Sequence, residues 1–358
     1  MKALIAMSGG VDSSIAAYLM KEKGYECIGA TMHLFDGATC GSKEDAEDAA
    51  MIAERLCVPF HVLDFREEFN ARVISYFVDT YERAGTPNPC IECNRYMKFD
   101  KLLEFAKSVG ADVIATGHYA RTDYDEESGR YILKKGLDET KDQSYVLYKL
   151  TQEQLAHVKF PLGEMSKAEV RKLASKEDFH NAGKKDSQDI CFVPDGDYAT
   201  FIEKHTGRKY PDGNFVTKEG TVLGRHNGLI RYTIGQRKGL GISSDAPLFV
   251  TKLDPERNEV VLSHGDDLFH KEIILSDINL ISVADIEGAM RVKAKIRYRH
   301  SEEPATAFRE IREDPDGTKH LVIRLVFDEA QRAPTIGQSA VLYDGDVVVG
   351  GGIISEIR

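Results

Sequence analysis

The first 115 residues alternate short apolar runs with amphipathic segments of helical period. The apolar runs predict strands at Lys2–Met7, Tyr25–Met32, Phe60–Asp64 and Ala111–Ala115. The amphipathic segments predict helices at Ser14–Lys23, Ser42–Cys57, Glu67–Arg83 and Lys98–Ser108. Strands and helices that alternate in this way predict an α/β domain with a doubly wound parallel sheet, which binds ligands at the carboxyl ends of its strands.

The pattern changes after about residue 245, where short strand-like runs are separated by turns. These runs are Leu248–Lys252, Glu259–Leu262, Met290–Tyr298, His320–Phe327 and Ser339–Tyr343. They predict an all-β tail that forms a small C-terminal β-barrel. A glycine-rich stretch, Gly207–Gly241, precedes this tail. We therefore expect three domains: residues 1–200, a small central domain at 201–270, and the barrel at 271–358.

Composition and charge exclude several classes of protein. No run of eighteen apolar residues occurs in the 358 residues, so we expect no membrane span and no membrane partner. The chain enters a predicted strand directly, and we expect a cytoplasmic protein without a signal peptide. The formal net charge of −11 argues against indiscriminate binding of polyanions, although a local basic patch can still bind nucleic acid. Six cysteines in such a compartment predict thiols, metal ligands or redox groups rather than structural disulfides.

A glycine turn with the sequence Ser8-Gly9-Gly10-Val11-Asp12-Ser13-Ser14 follows the first predicted strand. A strand, a tight turn and a helix start together expose backbone N–H groups and the positive end of a helix dipole, which bind phosphate. The turn lacks the lysine of a Walker A loop. An ordinary turn in which Asp12 or Ser13 caps the helix is the alternative, but the full string in this position favours phosphate binding.

Two cysteines, Cys93 and Cys191, are candidates for paired sulfur chemistry. Cys90 and Cys93 end a proline-rich loop, Gly85–Asn94, just before the helix predicted to start at Lys98, where the helix dipole favours a thiolate. Cys191 follows a polar, cationic stretch that also favours a thiolate. The alternatives are buried structural cysteines and, because no second close Cys/His pair is obvious, the less favoured zinc site.

Cations occupy every odd position of the predicted strand 291–299. They are Arg291, Lys293, Lys295, Arg297 and Arg299. Alternate residues of a strand share one face, so these side chains are expected to form one ridge with a spacing of about 7 Å, while Val292, Ala294 and Ile296 face the core. A ridge of this kind favours binding to a phosphate backbone, and a solvated barrel face is the alternative.

Taken together, these strings resemble the tRNA-specific 2-thiouridylase family of the ATP-pyrophosphatase superfamily. The matching strings are Ser8–Ser14, Thr86–Pro89 with Cys93-Asn94, Ala115–Tyr119, Lys141–Tyr145, Lys185-Asp186-Ser187 with Ile190-Cys191-Phe192, Gly235–Gly241 and Gly337–Ala340. The first string is shared by many ATP pyrophosphatases, and the others are narrower. The resemblance implies an adenine nucleotide hydrolase-like catalytic domain. It also implies an enzyme that adenylates the C2 carbonyl oxygen of a wobble uridine and replaces that oxygen with sulfur.

The resemblance also implies ligands and the residues that bind them. Its cofactors are ATP and Mg²⁺, which Asp12 would help to position, and its partners are the anticodon region of tRNA and a sulfur donor such as a cysteine desulfurase or relay protein. The implied ATP-binding residues are Ala6, Met7, Ser8, Gly9, Gly10, Val11, Asp12, Ser13, Met32 and Gly117. The implied tRNA-binding residues are Asn88, Pro89, Cys90, His118, Lys141, Asp142, Gln143, Arg297, Tyr298 and Gln338.

For catalysis the resemblance implies roles for Asp12, Cys93, Cys191 and the residue at position 90. Cys191 would carry a persulfide, and Cys93 would attack it or form the disulfide that releases the sulfide. Many family members carry an acid, viewed as a catalytic base, where this chain has Cys90. Three thiols, Cys90, Cys93 and Cys191, suit an iron–sulfur cluster with one open iron position as a second route, and a spare thiol at Cys90 is a third interpretation.

Two other classes of protein remain as alternatives. An amide-forming synthetase would share the glycine turn but would not need Cys93, Cys191 or the basic strand. A non-catalytic nucleotide-binding module would form no AMP.

Overall fold

The computed structural model describes residues 1–37, 41–184, 190–314 and 316–358. Its strands in chain order are β1 (Lys2–Ala6), β2 (Glu26–His33), β3 (Phe60–Asp64), β4 (Val113–Ala115), β5 (Ala120–Asp125), β6 (Arg130–Lys135), β7 (Val158–Lys159), β8 (Gly213–Val216), β9 (Val222–His226), β10 (Phe249–Asp254), β11 (Glu259–Ser263), β12 (Phe269–Leu280), β13 (Ala289–Lys295), β14 (Glu303–Glu313), β15 (Lys319–Arg332), β16 (Ser339–Asp344) and β17 (Val347–Ile357).

The α-helices are α1 (Val11–Glu22), α2 (Lys43–Arg55), α3 (Arg66–Phe69), α4 (Ser75–Glu82), α5 (Pro89–Glu92), α6 (Leu102–Ser108), α7 (Ser144–Leu147), α8 (Gln152–Ala156), α9 (Lys167–Lys176) and α10 (Tyr198–Thr206). π-Helical sections at Asn70–Ile74 and Cys93–Lys101 join α3 to α4 and α5 to α6. Short 3₁₀ helices occupy Leu229–Arg231 and Gly265–Leu268. In the part of the chain that the structure describes, none of these helices is both long enough and apolar enough to cross a bilayer.

The first domain contains a parallel sheet with the strand order β3-β2-β1-β4-β7. The chain builds the sheet outward from β1 to β3 on one side and then adds β4 and β7 on the other side. The order therefore reverses between β1 and β4, and such a switch point leaves a crevice at the carboxyl ends of the strands.

Helices cover both faces of this sheet, because alternate residues of β1 point in opposite directions. Ile5 packs in one apolar cluster with Ile15 of α1 and Ile52 of α2. Its neighbour Leu4 packs in another cluster with Leu102 of α6. The predicted doubly wound arrangement is confirmed.

The C-terminal part forms a closed barrel of six strands in the order β12-β15-β14-β13-β16-β17, which the pairing of β12 with β17 closes. The predicted barrel is therefore confirmed. The hairpin β5–β6 attaches the first domain to the barrel, since Lys134 pairs with Val347 of β17. A separate four-stranded sheet, β10-β11-β8-β9, lies between the two in sequence.

The helix that carries two of the candidate cysteines begins earlier than predicted. The chain is helical from Pro89 to Ser108, so Cys90 and Cys93 lie within the helix, and the prediction of a loop over Gly85–Asn94 with a helix that starts at Lys98 is wrong. Asn88 caps this helix, because its Oδ1 accepts a hydrogen bond from the Cys90 N–H at 3.2 Å. Pro89 occupies the first helical position, where its missing N–H costs nothing.

The predicted ridge of five cations is also wrong. Strand β13 ends at Lys295, because the chain must turn to enter its partner β14 at Glu303. Arg297 and Arg299 therefore lie in the turn rather than on the strand. The other half of the prediction is confirmed, since Val292, Ala294 and Ile296 are buried.

Candidate functional site

A cavity of about 770 Å³ opens at the switch point between β1 and β4. Nine of the ten predicted ATP-binding residues line it, namely Ala6, Met7, Ser8, Gly10, Val11, Asp12, Ser13, Met32 and Gly117. Five of the ten predicted tRNA-binding residues also line it, namely His118, Lys141, Asp142, Gln143 and Tyr298. The barrel contributes three further side chains that can carry positive charge, Lys295, Arg299 and His300. One cavity therefore joins the glycine turn to the candidate RNA-binding residues.

The glycine turn has the geometry of an anion site. Gly9 has a φ of +70°, and a Cβ there would lie 2.4 Å from the Asp45 carbonyl oxygen, so only glycine fits. Gly10 is the N-cap of α1, and no side chain of the cap hydrogen-bonds to the first turn of the helix. The first N–H groups of a helix have no partner within the helix, and they bind anions where they face a cavity.

The predicted alternative, a turn capped by Asp12 or Ser13, does not match these contacts. Ser13 Oγ accepts from the Ser8 N–H at 3.1 Å and donates to the Gly10 carbonyl oxygen at 3.0 Å. The Ser8 amide is thus already used, whereas the cap of α1 carries no side-chain acceptor. The backbone N–H groups after Gly9 are therefore the ones available to bind phosphate.

Gly117 brings the end of β4 against the first turn of α1. A Cβ at this position would lie 2.8 Å from both the Asp12 carbonyl carbon and the Ser13 nitrogen. Backbone can approach this closely only because glycine has no side chain. The close approach explains why a glycine follows β4 and how this glycine reaches the crevice.

Asp12 holds two partners, one of which the sequence analysis missed. Lys167 Nζ donates to both carboxylate oxygens of Asp12 at 2.8 Å, and the Tyr119 hydroxyl donates to Oδ1 at 2.8 Å. Lys167 is 8% exposed, and it is the first residue of α9 after the N-cap Ser166. A capping box between Ser166 and Glu169 begins this helix, but nothing local in the sequence links Lys167 to Asp12.

Asn181 and Lys184, in the segment before Cys191, also support the glycine turn. The Asn181 Nδ2 donates to the Gly9 carbonyl oxygen at 3.0 Å and to Ser14 Oγ at 2.9 Å. Lys184 Nζ donates to Asp45 at 2.8 Å and lines the cavity. The rest of this motif, Lys185-Asp186-Ser187-Gln188-Asp189, lies outside the described residues.

His118 lies in the cavity wall as a neutral imidazole. Burial, and then the positive charge of Lys98, hold the pKa of His118 well below its usual range. Its Nδ1 lies 2.8 Å from Thr116 Oγ1. A neutral ring can contact RNA by hydrogen bonding or stacking but does not attract phosphate as a charge.

The segment Lys141–Gln143 is held by contacts within the protein. The Asp142 carboxylate accepts from the Gly136 N–H at 3.0 Å and from the Ser144 hydroxyl at 2.8 Å, so it shapes the turn. The Gln143 side chain accepts from the Tyr119 N–H at 2.9 Å. Lys141 is the cation of this segment in the cavity wall.

Three predicted tRNA contacts in the barrel have internal partners. The Tyr298 hydroxyl donates to the Asp142 carbonyl oxygen at 3.2 Å. The Arg297 guanidinium donates to the Arg332 carbonyl oxygen at 2.6 Å, and Arg297 does not line the cavity. The Gln338 amide donates to the Thr86 carbonyl oxygen at 2.8 Å. The barrel thus contacts both the cavity wall and the loop that leads to Cys90.

The candidate thiols lie outside the cavity wall. Cys93 and Cys191 both pack against one apolar cluster that contains Phe77 and Phe192. Cys90 is exposed. Burial first, then Asp142 and then Cys90 raise the pKa of Tyr298, so Cys90 lies within electrostatic reach of that phenol. In the described part of the chain the cysteines form no disulfide, and Cys40 is outside the described residues.

The described residues contain no site for a single metal ion. Within residues 1–37, 41–184, 190–314 and 316–358, no group of three His, Cys, Asp or Glu side chains is placed to bind one. Cys90, Cys93 and Cys191 all belong to these ranges. The iron–sulfur cluster at these three thiols stays a prediction.

Profiles of known families match nearly the whole chain in three parts. They are a tRNA methyl transferase HUP domain at residues 1–195, a tRNA methyl transferase PRC-barrel domain at 199–264 and an aminomethyltransferase beta-barrel domain at 270–354. A protein named tRNA-specific 2-thiouridylase MnmA from Clostridioides difficile (strain 630) is 49% identical over 363 residues, which cover 99% of this chain and 98% of that protein. The chain belongs to the tRNA-specific 2-thiouridylase family.

A second member of the tRNA-specific 2-thiouridylase family, from Acetivibrio thermocellus, is 47% identical and covers 99% of each chain. The predicted resemblance is therefore confirmed. Among solved structures, a 4-thiouridine synthetase in complex with RNA is 18% identical and covers 57% of this chain and 50% of that one, with a TM-score of 0.36. The assignment to the 2-thiouridylase family rests on the full-length relatives.

Proposed function

We propose that this chain uses ATP to replace the C2 oxygen of a tRNA wobble uridine with sulfur. The observation that carries the proposal is the shared cavity, whose wall contains the glycine turn together with Lys141–Gln143 and Arg299. A nucleotide and a base must share a site for one to activate the other. The names of the relatives, tRNA-specific 2-thiouridylases, support the same reaction.

The residues present fit ATP as the substrate that activates the base. Glycine at positions 9, 10 and 117 brings backbone close to the phosphates, and the start of α1 supplies N–H groups and a positive dipole. Mg²⁺ on the phosphates would neutralise their charge. Lys167 and Tyr119 already donate to the Asp12 carboxylate, so Mg²⁺ would have to bind a carboxylate oxygen alongside these two donors.

The chemistry requires activation because the C2 carbonyl of uracil is a poor electrophile with an oxide-like leaving group. The carbonyl oxygen attacks the α-phosphorus of ATP, and pyrophosphate leaves to the amides of the turn. Sulfur then attacks C2, and the former carbonyl oxygen departs within AMP. A base in a stacked anticodon must be extruded to reach the cavity.

Cys191 and Cys93 provide the sulfur route in this proposal. A donor such as a cysteine desulfurase or a relay protein loads Cys191 with a persulfide. Its terminal sulfur attacks C2, the Cys93 thiolate attacks the Cys191 sulfur, and the bond between the two persulfide sulfurs breaks. A disulfide between Cys93 and Cys191 remains, which an external dithiol must reduce. The shared apolar cluster of the two side chains supports this pairing, and no step passes through an iron–sulfur cluster.

Cys90 has a different proposed role. Cys90 lies in the first turn of the helix after Asn88 and Pro89, is exposed, and is within electrostatic reach of Tyr298. These observations support a contact of Asn88, Pro89 and Cys90 with the target nucleotide. A cysteine cannot replace a carboxylate as a base at neutral pH without activation, so we assign no proton transfer to it.

The proposal also covers the tRNA contacts, the domain limits and the cellular location. We assign tRNA contacts to Asn88, Pro89, Cys90, His118, Lys141, Asp142, Gln143, Arg297, Tyr298 and Gln338. The domain limits are 1–200, 201–270 and 271–358, and the protein acts in the cytoplasm, where tRNA, ATP and reduced thiols are available.

The test is a nucleoside analysis of tRNA after incubation with the protein, ATP, Mg²⁺ and a persulfide donor. The wild-type protein is expected to form 2-thiouridine, whereas Cys93→Ser and Cys191→Ser are expected to bind tRNA and form none. Cys57→Ser is the control, because Cys57 is an exposed thiol outside the cavity and outside the apolar cluster. Full activity in either of the first two variants would overturn the sulfur route.

A further inference from the structure

Tyr119 links two parts of the cavity that have separate tasks. Its side chain is 2% exposed, and its hydroxyl donates to Asp12 Oδ1 at 2.8 Å. Asp12 lies in the first turn of α1, next to the glycine turn, and lines the cavity. Tyr119 itself follows His118 and lines the same cavity.

The backbone of Tyr119 is fixed to the candidate RNA-binding segment. The Tyr119 N–H donates to Gln143 Oε1 at 2.9 Å, and its carbonyl oxygen accepts from the Gln143 N–H at 2.9 Å. On the other side, a Cβ on Gly136 would lie 2.9 Å from the Tyr119 carbonyl oxygen, so backbone encloses this residue closely. A displacement of Lys141–Gln143 therefore also displaces Tyr119.

The Asp12 carboxylate has two donors with different attachments. Lys167 holds both oxygens from α9, which belongs to the scaffold of the first domain. Tyr119 donates to one oxygen and is itself hydrogen-bonded to Gln143 of the candidate RNA-binding segment. A shift of that segment therefore changes the contact of Tyr119 with the carboxylate, while Lys167 keeps its charge neutralised.

We propose that Tyr119 is a positioning residue that couples tRNA on Lys141–Gln143 to ATP on the glycine turn. The inference rests on the proposed function. A tRNA seated on the segment fixes Gln143 and Tyr119, and the Tyr119 hydroxyl then fixes Asp12 in the orientation that favours the triphosphate. Coupling between binding sites is reciprocal, so ATP also strengthens tRNA binding by the same factor.

The test compares the affinity of an ATP analogue with a methylene group between the α- and β-phosphorus, with and without saturating tRNA. For the wild-type protein tRNA is expected to tighten analogue binding by about fivefold or more, as in typical coupling between sites. In Tyr119→Phe, which lacks only the hydroxyl, the ratio is expected to fall to about one. The affinity for the analogue measured without tRNA is expected to change less than the affinity measured with tRNA.

Tyr148→Phe is the matched control. It also loses the hydroxyl of a fully buried tyrosine, whose partner is Ser339 Oγ at 3.0 Å, and it does not touch Asp12. The control is expected to keep the wild-type ratio.

Three results would overturn the inference: a wild-type ratio of one, an unchanged ratio in Tyr119→Phe, or loss of analogue binding by Tyr119→Phe even without tRNA. The last result would show that Tyr119 supports the turn whether or not RNA is present. A wild-type protein that binds neither tRNA nor the analogue contradicts the proposed function itself, and this outcome is distinct from the other three.

Discussion

Asp12 and Lys167 illustrate how single residues in this site serve both structure and chemistry. Asp12 lines the cavity, Lys167 is nearly buried, and each neutralises the other where an isolated charge would be unfavourable. A carboxylate that is already held by an ammonium group and a phenol needs little reorganisation when a triphosphate arrives. Such preorganisation is the main way in which a site stabilises developing charge.

Replacement of Asp12 is expected to remove activity and also stability. In Asp12→Ala the nearly buried Lys167 loses this counter-charge, so we expect no tRNA-dependent AMP formation and a lower melting temperature. The double variant Asp12→Asn with Lys167→Met is expected to recover the melting temperature but not AMP formation. AMP formation at the wild-type rate in Asp12→Ala would contradict the assignment of the turn.

His118 makes a prediction about pH. Its pKa in the folded protein lies well below the value of about 6.5 of an unfolded chain, so the unfolded state binds more protons as the pH falls. The free energy of unfolding should therefore decrease between about pH 7 and pH 5.5, by up to about 1.4 kcal/mol per pH unit from this group. Denaturant titrations should show a smaller decrease for His118→Gln, and equal slopes for both proteins would refute the burial argument.

At the scale of elements, the continuous helix Pro89–Ser108 connects the thiols to the rest of the molecule. Glu92, between Cys90 and Cys93, is 5% exposed and accepts from Lys149 Nζ, which also donates to Asp277 of β12. Burial opposes ionisation of Asp277, but Lys149 and then Arg95 hold its pKa below the usual value. One buried ammonium group thus joins the cysteine-bearing helix to the barrel.

Loss of this ammonium group is expected to destabilise the protein strongly. Lys149→Met leaves Glu92 buried without its counter-charge, and breaking a buried pair in this way costs about 3 kcal/mol. Thermal or denaturant unfolding measures the effect. Lys107→Met, which breaks the exposed pair with Glu153, is the control and should change stability little. Equal effects of the two variants would contradict the role of Lys149.

The turn after β13 makes a prediction about RNA binding. Arg299 is exposed and lines the cavity, whereas Arg291 pairs with Asp328 away from it. Arg299→Ala is expected to weaken tRNA binding and to reduce the slope of log affinity against log salt by about one, because one phosphate contact is lost. Arg291→Ala should leave both quantities unchanged, and a reversed order of the two variants would contradict the placement of the RNA.

At the scale of the whole molecule, the parts of the site that depend on local sequence could be predicted from the sequence. The glycine turn, Met32 and Gly117 were predictable because each follows a strand of a parallel sheet, and strand ends meet at one edge. Lys167 and Asn181 were not, because they reach the turn only through the packing of distant segments.

The helix start at Pro89 was missed although Asn88 and Pro89 are a recognisable start signal. The cation ridge failed because pairing with β14 decides where β13 ends.

The arrangement of the domains gives the account its central claim. The barrel closes one side of a cavity whose other side carries the glycine turn, so the base and ATP are expected to react within it. The claim predicts which atom leaves: the C2 oxygen of the uridine should depart in AMP as sulfur takes its place.

The most direct test uses a tRNA whose wobble uridine carries a heavy oxygen isotope at C2. The tRNA is incubated with the protein, ATP, Mg²⁺ and a persulfide donor, and both AMP and tRNA nucleosides are analysed by mass spectrometry. The account predicts that the heavy oxygen appears in AMP in the same amount as 2-thiouridine appears in the tRNA. AMP without the label, or labelled uridine that remains unchanged while ATP is consumed, would contradict it.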